Sequence, residues 1–214
     1  MNILNPYRLY KPPLSVEIVM GAGQTFEIPM RNIGSYTYEV DWGDGTVPQE
    51  IIAYDQAERF DAGTYAIEIR GIFTNWYVAN RTMKGYITRV LNWGRTNLSN
   101  INFYGCTNLY ELPDNDSLSK TGSASIAIDQ GFRACTSLLT VPQDLLKGVS
   151  VPGSGLRYLF LDAINLQEIP VDFFRYTLNV TQIVEVFSNC KALTLIPADI
   201  FRYNTQVTTF YGIF

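Results

Sequence analysis

The chain has 214 residues, 47% of them hydrophobic and 17% charged, with a formal net charge of -4. This balance is that of a folded protein with a sizeable core, and it excludes a disordered chain. Lysine and arginine are scattered singly, so no basic stripe is present to neutralise phosphates, and neither nucleic acid nor an anionic membrane is expected as a partner.

The chain contains no histidine, which removes the commonest general base, the commonest metal ligand and every imidazole-dependent triad. No enzymatic activity and no cofactor are therefore expected. The 14 tyrosines and 12 phenylalanines suit either a rigid aromatic binding surface or a β-rich core, and the core is the preferred reading. The opening residues lack a basic region followed by an apolar run, and no stretch approaches membrane-spanning length. With Met1 as the native start, export by a leader is not expected.

Residues 1–13 read as an arm. Pro6, Pro12 and Pro13 forbid helix there, while Tyr7, Leu9 and Tyr10 offer apolar groups for docking on a neighbour. From residue 14 to about 80 the pattern is β, with runs at Ser15–Met20, Thr25–Pro29, Tyr36–Trp42, Glu50–Tyr54 and Tyr65–Arg70 broken by Gly, Pro, Asn and Asp. Short strands at that spacing predict a β-sandwich. Within it, Trp42-Gly43-Asp44-Gly45-Thr46 precedes Ala62-Gly63-Thr64-Tyr65. Trp42 is expected to fill the core, while Asp44 supplies a side-chain hydrogen bond and Gly45 the positive φ that the corner needs. The carboxylates of Asp41 and Asp44 fall short of the six to eight oxygens calcium takes, and no metal is expected.

From residue 81 onward one pattern recurs: Phe103-Cys106-Leu109-Leu112-Pro113, Phe132-Cys135-Leu138-Val141-Pro142, Phe160-Ala163-Leu166-Ile169-Pro170 and Phe187-Cys190-Leu193-Ile196-Pro197. The phenylalanines are spaced 29, 28 and 27 residues apart, and Phe214 follows after a further 27. Fixed-period self-similarity of this length predicts a solenoid, about four and a half units over 81–214. Phe and Cys, three apart, are expected on one face of a short helical turn, with Leu and Ile continuing into a brief strand that Pro ends. Asp144, Asp172 and Asp199, each two residues after a proline, are expected to satisfy free N–H groups at the start of a short helix.

Cys106, Cys135 and Cys190 share one slot, which Ala163 fills in the third unit, so the slot is small and buried and the thiols reduced. The acids Glu111, Asp114, Asp116 and Asp129 flank a Ser-rich insertion. A polysaccharide-cleaving enzyme would need two such carboxylates facing across a cleft, whereas a cluster of this kind is ordinarily a solvated loop. Tyr104, Tyr110, Tyr158, Tyr176, Tyr203 and Tyr211 lie in variable slots of the repeat, where they either form an aromatic strip facing a ligand or pack between turns. The insertions at Asp114–Gly131 and Lys147–Gly155 read as loops. A last turn ending at Phe214 leaves an apolar end, either cut short or covered by another subunit, so a homo-oligomer is expected.

The W-G-D-G-T turn with the later A-G-T-Y strand resembles PKD-like, immunoglobulin-like domains, although Glu58-Arg59-Phe60 stands where that family usually has His-x-Tyr. The F-x-x-C-x-x-L-x-x-I-P unit, followed by x-D, resembles the BspA-like leucine-rich repeat, and together the two resemblances span about residues 14–214. The resemblance implies an N-terminal Ig-like sandwich followed by a leucine-rich-repeat solenoid, and binding rather than turnover, as in bacterial surface adhesins and in tailed-phage virion proteins. The opening Ile3-Leu4-Asn5-Pro6-Tyr7-Arg8 also looks like the start of some phage structural proteins. The expectation is thus a virion component (tail fibre, tail tip or capsid decoration) held to other virion proteins by the arm and binding a host-surface protein or glycan. The alternative is a bacterial cell-surface adhesin.

Overall fold

The computed structural model describes residues 12–31, 36–51, 56–114, 116–148, 150–151 and 156–214. The arm residues Tyr7, Leu9 and Tyr10, and part of the Lys147–Gly155 insertion, lie outside the described residues. The protein is mainly β. Among the described residues it has short strands, two 3-10 turns at Thr82–Tyr86 and Leu118–Thr121, and no α-helix.

The first region comprises β1 (Leu14–Met20), β2 (Gln24–Glu27), β3 (Tyr36–Asp41), β4 (Gln49–Ile51), β5 (Ala57–Phe60) and β6 (Gly63–Phe73). The expected runs fall on β1, β2, β3, β4 and β6, with Tyr54 outside the described residues. β1 runs antiparallel to β6, with Val16 opposite Ile67 and Ile18 opposite Tyr65, and β3 lies on the other edge of β6. Val16, Ile18 and Met20 are buried, whereas Val19 points outward and is exposed. That is the period-two alternation of a sheet with one covered face. β2 pairs with β5 in a separate two-stranded sheet. Trp42, following β3, meets Phe60 of β5 edge-on at 6.2 Å, which brings the two sheets onto one core.

Three further strands join this region to the repeats: β7 (Asn75–Tyr77), β8 (Ile87–Asn92) and β9 (Asn100–Asn102). β8 extends the first sheet beyond β1, giving the order β4-β3-β6-β1-β8, while β7 pairs in parallel with β9. Trp76 of β7 packs against Phe73 at 6.2 Å and Phe103 at 5.5 Å, and Trp93 also meets Phe103. The buried Asp116 carboxylate accepts the Trp93 N–H at 3.1 Å and the Ser117 N–H at 2.9 Å, with Lys120 beside it. These contacts make one continuous core out of both regions.

In the repeats, Phe103, Phe132, Phe160, Phe187 and Phe214 stack ring on ring. Centroids are 5.6 to 5.8 Å apart and planes lie within 12° of parallel. The first four of these phenylalanines donate their N–H to the residue just before the next one: Phe103 to Gly131, Phe132 to Leu159, Phe160 to Val186 and Phe187 to Ile213. β10 (Leu156–Arg157), β11 (Gln182–Val184) and β12 (Thr209–Tyr211) form a parallel sheet in the same register. Within each turn, the N–H of the Cys or Ala slot bonds the carbonyl of Phe, three residues back, and the N–H of Leu bonds the carbonyl of that slot.

Two local expectations are corrected. The strand precedes Phe rather than following Leu. The Leu138–Val141 and Leu166–Ile169 segments are joined by the backbone bond from Gln167 N–H to Leu139, and Ala192 N–H bonds Ile164 just before the corresponding Leu positions, while the proline that follows has no N–H with which to extend a ladder. The aspartates after Pro do not start helices either, because Asp172 and Asp199 sit in the left-handed region at φ +58° and +56°. Their segments are successive turns with bonds from residue i to i-3, such as Arg175 N–H to Asp172 and Arg202 N–H to Asp199.

Candidate binding site

Turn geometry decides where the candidate side chains emerge. The residue two before Phe is left-handed in successive units (Gln130, Tyr158, Glu185, Gly212), and so is the residue two after it (Gly105, Ala134, Asp162, Asn189). These paired reversals bend the chain around the buried ring. Sequence reasoning missed them because only Gly, Asn and Asp signal left-handed backbone, while Gln130, Tyr158, Glu185 and Ala134 carry no such signal. The unusual φ of Tyr158 therefore belongs to the repeat and does not mark a special site.

The six tyrosines do not form one strip. Tyr104 and Tyr158 are brought together by Arg133, whose guanidinium lies 4.9 Å from the first ring and 6.0 Å from the second, with Lys84 also over Tyr104. Beside them Asp129 pairs with Arg157, and Asp162 accepts a hydrogen bond from Asn189. Tyr110 is exposed and lies apart, its N–H bonded to Thr88 of β8. Tyr211, also exposed, sits on β12 beside Val184. Tyr176 and Tyr203 occupy one slot in successive turns, each under the guanidinium of the preceding arginine at 4.6 and 4.7 Å.

Around that slot runs an ion-pair ladder. Asp144 binds Lys147 at 3.0 Å within its own turn and Arg175 at 2.9 Å in the next, and Asp172 binds Arg202 at 2.5 Å. The aspartates thus clamp turn to turn. The hydrogen bond from Lys147 and its charge, reinforced by Arg175, hold the Asp144 carboxyl below its ordinary value against the opposing effect of burial. The Asp172 carboxylate raises Arg202.

Cys106, Cys135 and Cys190 are free and buried. Cys135 and Cys190 donate their thiols at 3.2 Å to the carbonyls of Phe103 and Phe160 one turn back. Burial pushes all three up, Cys190 to about 12, so at neutral pH they are protonated packing groups.

At the W-G-D-G-T turn Trp42 is buried. Asp44 accepts the N–H of Thr46 at 2.9 Å and its hydroxyl at 2.7 Å, and Gly45 has φ +86°. Burial pushes the Asp44 carboxyl up, but those two bonds together with its own backbone N–H outweigh it and hold the carboxyl below its ordinary value. Gly43 is constrained by proximity as well as by its φ of +73°, since a Cβ there would lie 2.5 Å from the Ala66 carbonyl. The turn is thereby pressed onto β6, the strand that carries A-G-T-Y.

The acids of the first insertion are used separately. Glu111 pairs with Arg89 of β8, Asp116 holds Trp93 and Lys120, and Asp129 holds Arg157. Among the described residues no three Cys, Asp or Glu converge as metal ligands.

Concave surface occurs where turns separate. A groove of about 320 Å³ is lined by Ser150, Arg175, Tyr176, Thr177 and Asn179 over Val151 and Leu178. A larger one of about 800 Å³ runs between the Leu-x-x-Ile-Pro segments of the third and fourth units. No family model, curated protein or solved structure matches the chain. No helix among the described residues is long and apolar enough to cross a membrane.

Proposed function

We propose that this chain is a non-enzymatic binding and structural protein. On this reading a PKD-like, Ig-like sandwich over residues 14–80 leads into a BspA-like leucine-rich-repeat solenoid over 81–214. It serves as a bacteriophage virion component, a tail-fibre, tail-tip or capsid-decoration protein, that presents the solenoid to a host surface. The arm at 1–13 holds it to other virion proteins, and homo-oligomers place several copies side by side.

The observation that carries the reading is the phenylalanine stack with its one-turn hydrogen-bond ladder. Turns repeating in a constant register extend a surface whose slots can vary while the core stays the same, which is how solenoids display binding faces. Supporting the first domain, the W-G-D-G-T turn packs against the A-G-T-Y strand through Gly43 and Ala66. The resemblance of Ile3–Arg8 to the start of phage structural proteins favours a virion.

The test is immunogold electron microscopy, with antibody against this chain, on particles and uninfected cells from the source. Label at the tail or capsid of virions is the expected result. Label on the envelope of uninfected cells overturns it in favour of the bacterial adhesin that the same resemblance allows.

A further inference from the structure

Between the second and third units the Gln167 N–H bonds the Leu139 carbonyl. Thr194 holds the same place one turn on, four residues after the Cys or Ala slot, yet its N–H makes no bond to the Gln167 carbonyl. By equivalence with the turn before, a donor on one wall and an acceptor on the other face this gap, and the groove of about 800 Å³ lies along it. Unmade backbone bonds beside an open groove are what an added extended segment satisfies. The lining is apolar, with Ile169 buried, Ile196 exposed and Leu195 75% exposed. Glu168 is the lining's one charged side chain, and among the described residues it forms no ion pair.

The arm has the matching chemistry. Residues 1–11 carry Arg8 and Lys11 and no acid, and Tyr7 and Leu9 flank Arg8. In an extended chain Tyr7 and Leu9 share one face and Arg8 takes the other. Pro6, just before them, forbids a helix and suits the end of a strand. Reach decides which copy the arm serves. The Pro12 carbonyl accepts the Arg95 N–H, and Asn97, two residues on, donates to Thr121 in the following turn, so the arm is anchored no further along than the first unit. The gap between the third and fourth units lies two and a half turns on, about 14 Å at ring spacings of 5.6 to 5.8 Å, whereas the three residue steps from Pro12 back to Leu9 span at most about 11 Å. Tyr7–Leu9 therefore falls short of its own groove.

We propose that Tyr7-Arg8-Leu9 of one copy docks in this groove on a second copy, with Tyr7 and Leu9 against Ile169, Leu195 and Ile196, Arg8 on Glu168, and the arm's backbone on Thr194 and Gln167. The inference rests on the attachment role proposed above for the arm and names its receptor, a neighbouring copy of the chain. Arm into groove is a head-to-tail contact, so successive copies pass the arm along and either close a ring or extend a row.

The test mixes two forms of the full chain with different affinity tags, one Arg8→Cys and one Glu168→Cys, under oxidised glutathione. A disulfide joining the two tags, well above the level in either form alone, is the expected result. Sedimentation equilibrium gives a second readout. Arg8→Glu and Glu168→Arg are each expected to weaken self-association about fivefold, and together to restore it. Leu195→Asn, at an exposed position, is expected to weaken it about tenfold. Circular dichroism checks that each variant folds.

A disulfide that forms only when both cysteines are on one chain overturns the exchange between copies, because the arm then fills its own groove. Self-association with no disulfide and no response to Leu195→Asn overturns the groove as receptor. A monomeric chain that still labels virions overturns the docking and leaves the virion reading standing. A disulfide between copies with no label on virions upholds the docking and overturns that reading.

Discussion

In the first sheet Leu14 pairs with Ile69 and Tyr36 with Phe73, so the rungs that β6 makes with β1 and β3 close long loops and both ends of the region must be in place at once. In the repeats every rung reaches one turn along and no further, from Phe132 to Leu159 or Phe160 to Val186. The first arrangement concentrates its dependence on register. The second spreads it over successive equivalent interfaces, so damage is expected to stay local. The two meet at Trp76, whose indole touches Phe73 on one side and Phe103 on the other.

The largest expected effect comes from cutting that junction. Trp76→Ala should cost about 3–5 kcal/mol, as for large aromatic truncations in cores, and should split one calorimetric transition into two. A single transition shifted as a whole would mean that the halves are coupled elsewhere. Next, Phe132→Ala, buried between two stacked rings, should lose about 3–5 kcal/mol, whereas Phe214→Ala, 56% exposed, should lose under about 1 kcal/mol. Chemical denaturation of the pair measures whether position in the stack sets the cost, and equal losses would defeat the nearest-neighbour picture.

In the first region, Gly43→Ala should lose about 2 kcal/mol, from left-handed strain and the clash with Ala66. By contrast Ala134→Gly should gain about 1 kcal/mol, by relieving the same kind of strain at φ +54° in the repeat. An unchanged denaturation midpoint for Ala134→Gly would remove the left-handed slot as a source of strain.

The smallest effect is a pH dependence. Asp144 is held below its ordinary value in the folded state, so its contribution is present above the unfolded value of about 3.9 and fades as pH falls through the lowered folded value. The stability gap between wild type and Asp144→Asn should therefore be open at pH 6 and closed near pH 2. A gap of constant size would mean that the ladder contributes through packing rather than charge.

Much of the framework was legible before folding. The strands β1, β2, β3 and β6 follow alternation of apolar residues, and the phenylalanine slots follow their spacing. β5 was not legible, because Ala57-Glu58-Arg59-Phe60 buries only Phe60 and reads as a polar loop. β8 was hidden because Thr88, Arg89 and Asn92 break its pattern, and it becomes a strand through its place beside β1. The six tyrosines were visible as variable positions, but their division between Arg133, β8, β12 and the Asp–Arg ladder was not. Which slots face together depends on how the chain reverses at Gln130, Tyr158 and Glu185, and residue type carries no sign of that reversal.

By itself the sequence determined the mainly β character, the repeat period, the buried slots for Phe and Cys, and the Trp42 turn. Each of these follows from side-chain size, periodicity or the φ freedom of glycine, which are properties of a residue and its near neighbours. Tertiary structure alone decided three things: the strand before Phe, the aspartates reaching forward to the next turn's arginines, and the groove at Arg175 and Tyr176. Each needs two segments a full turn apart to be in contact, and no local pattern encodes how adjacent turns are offset.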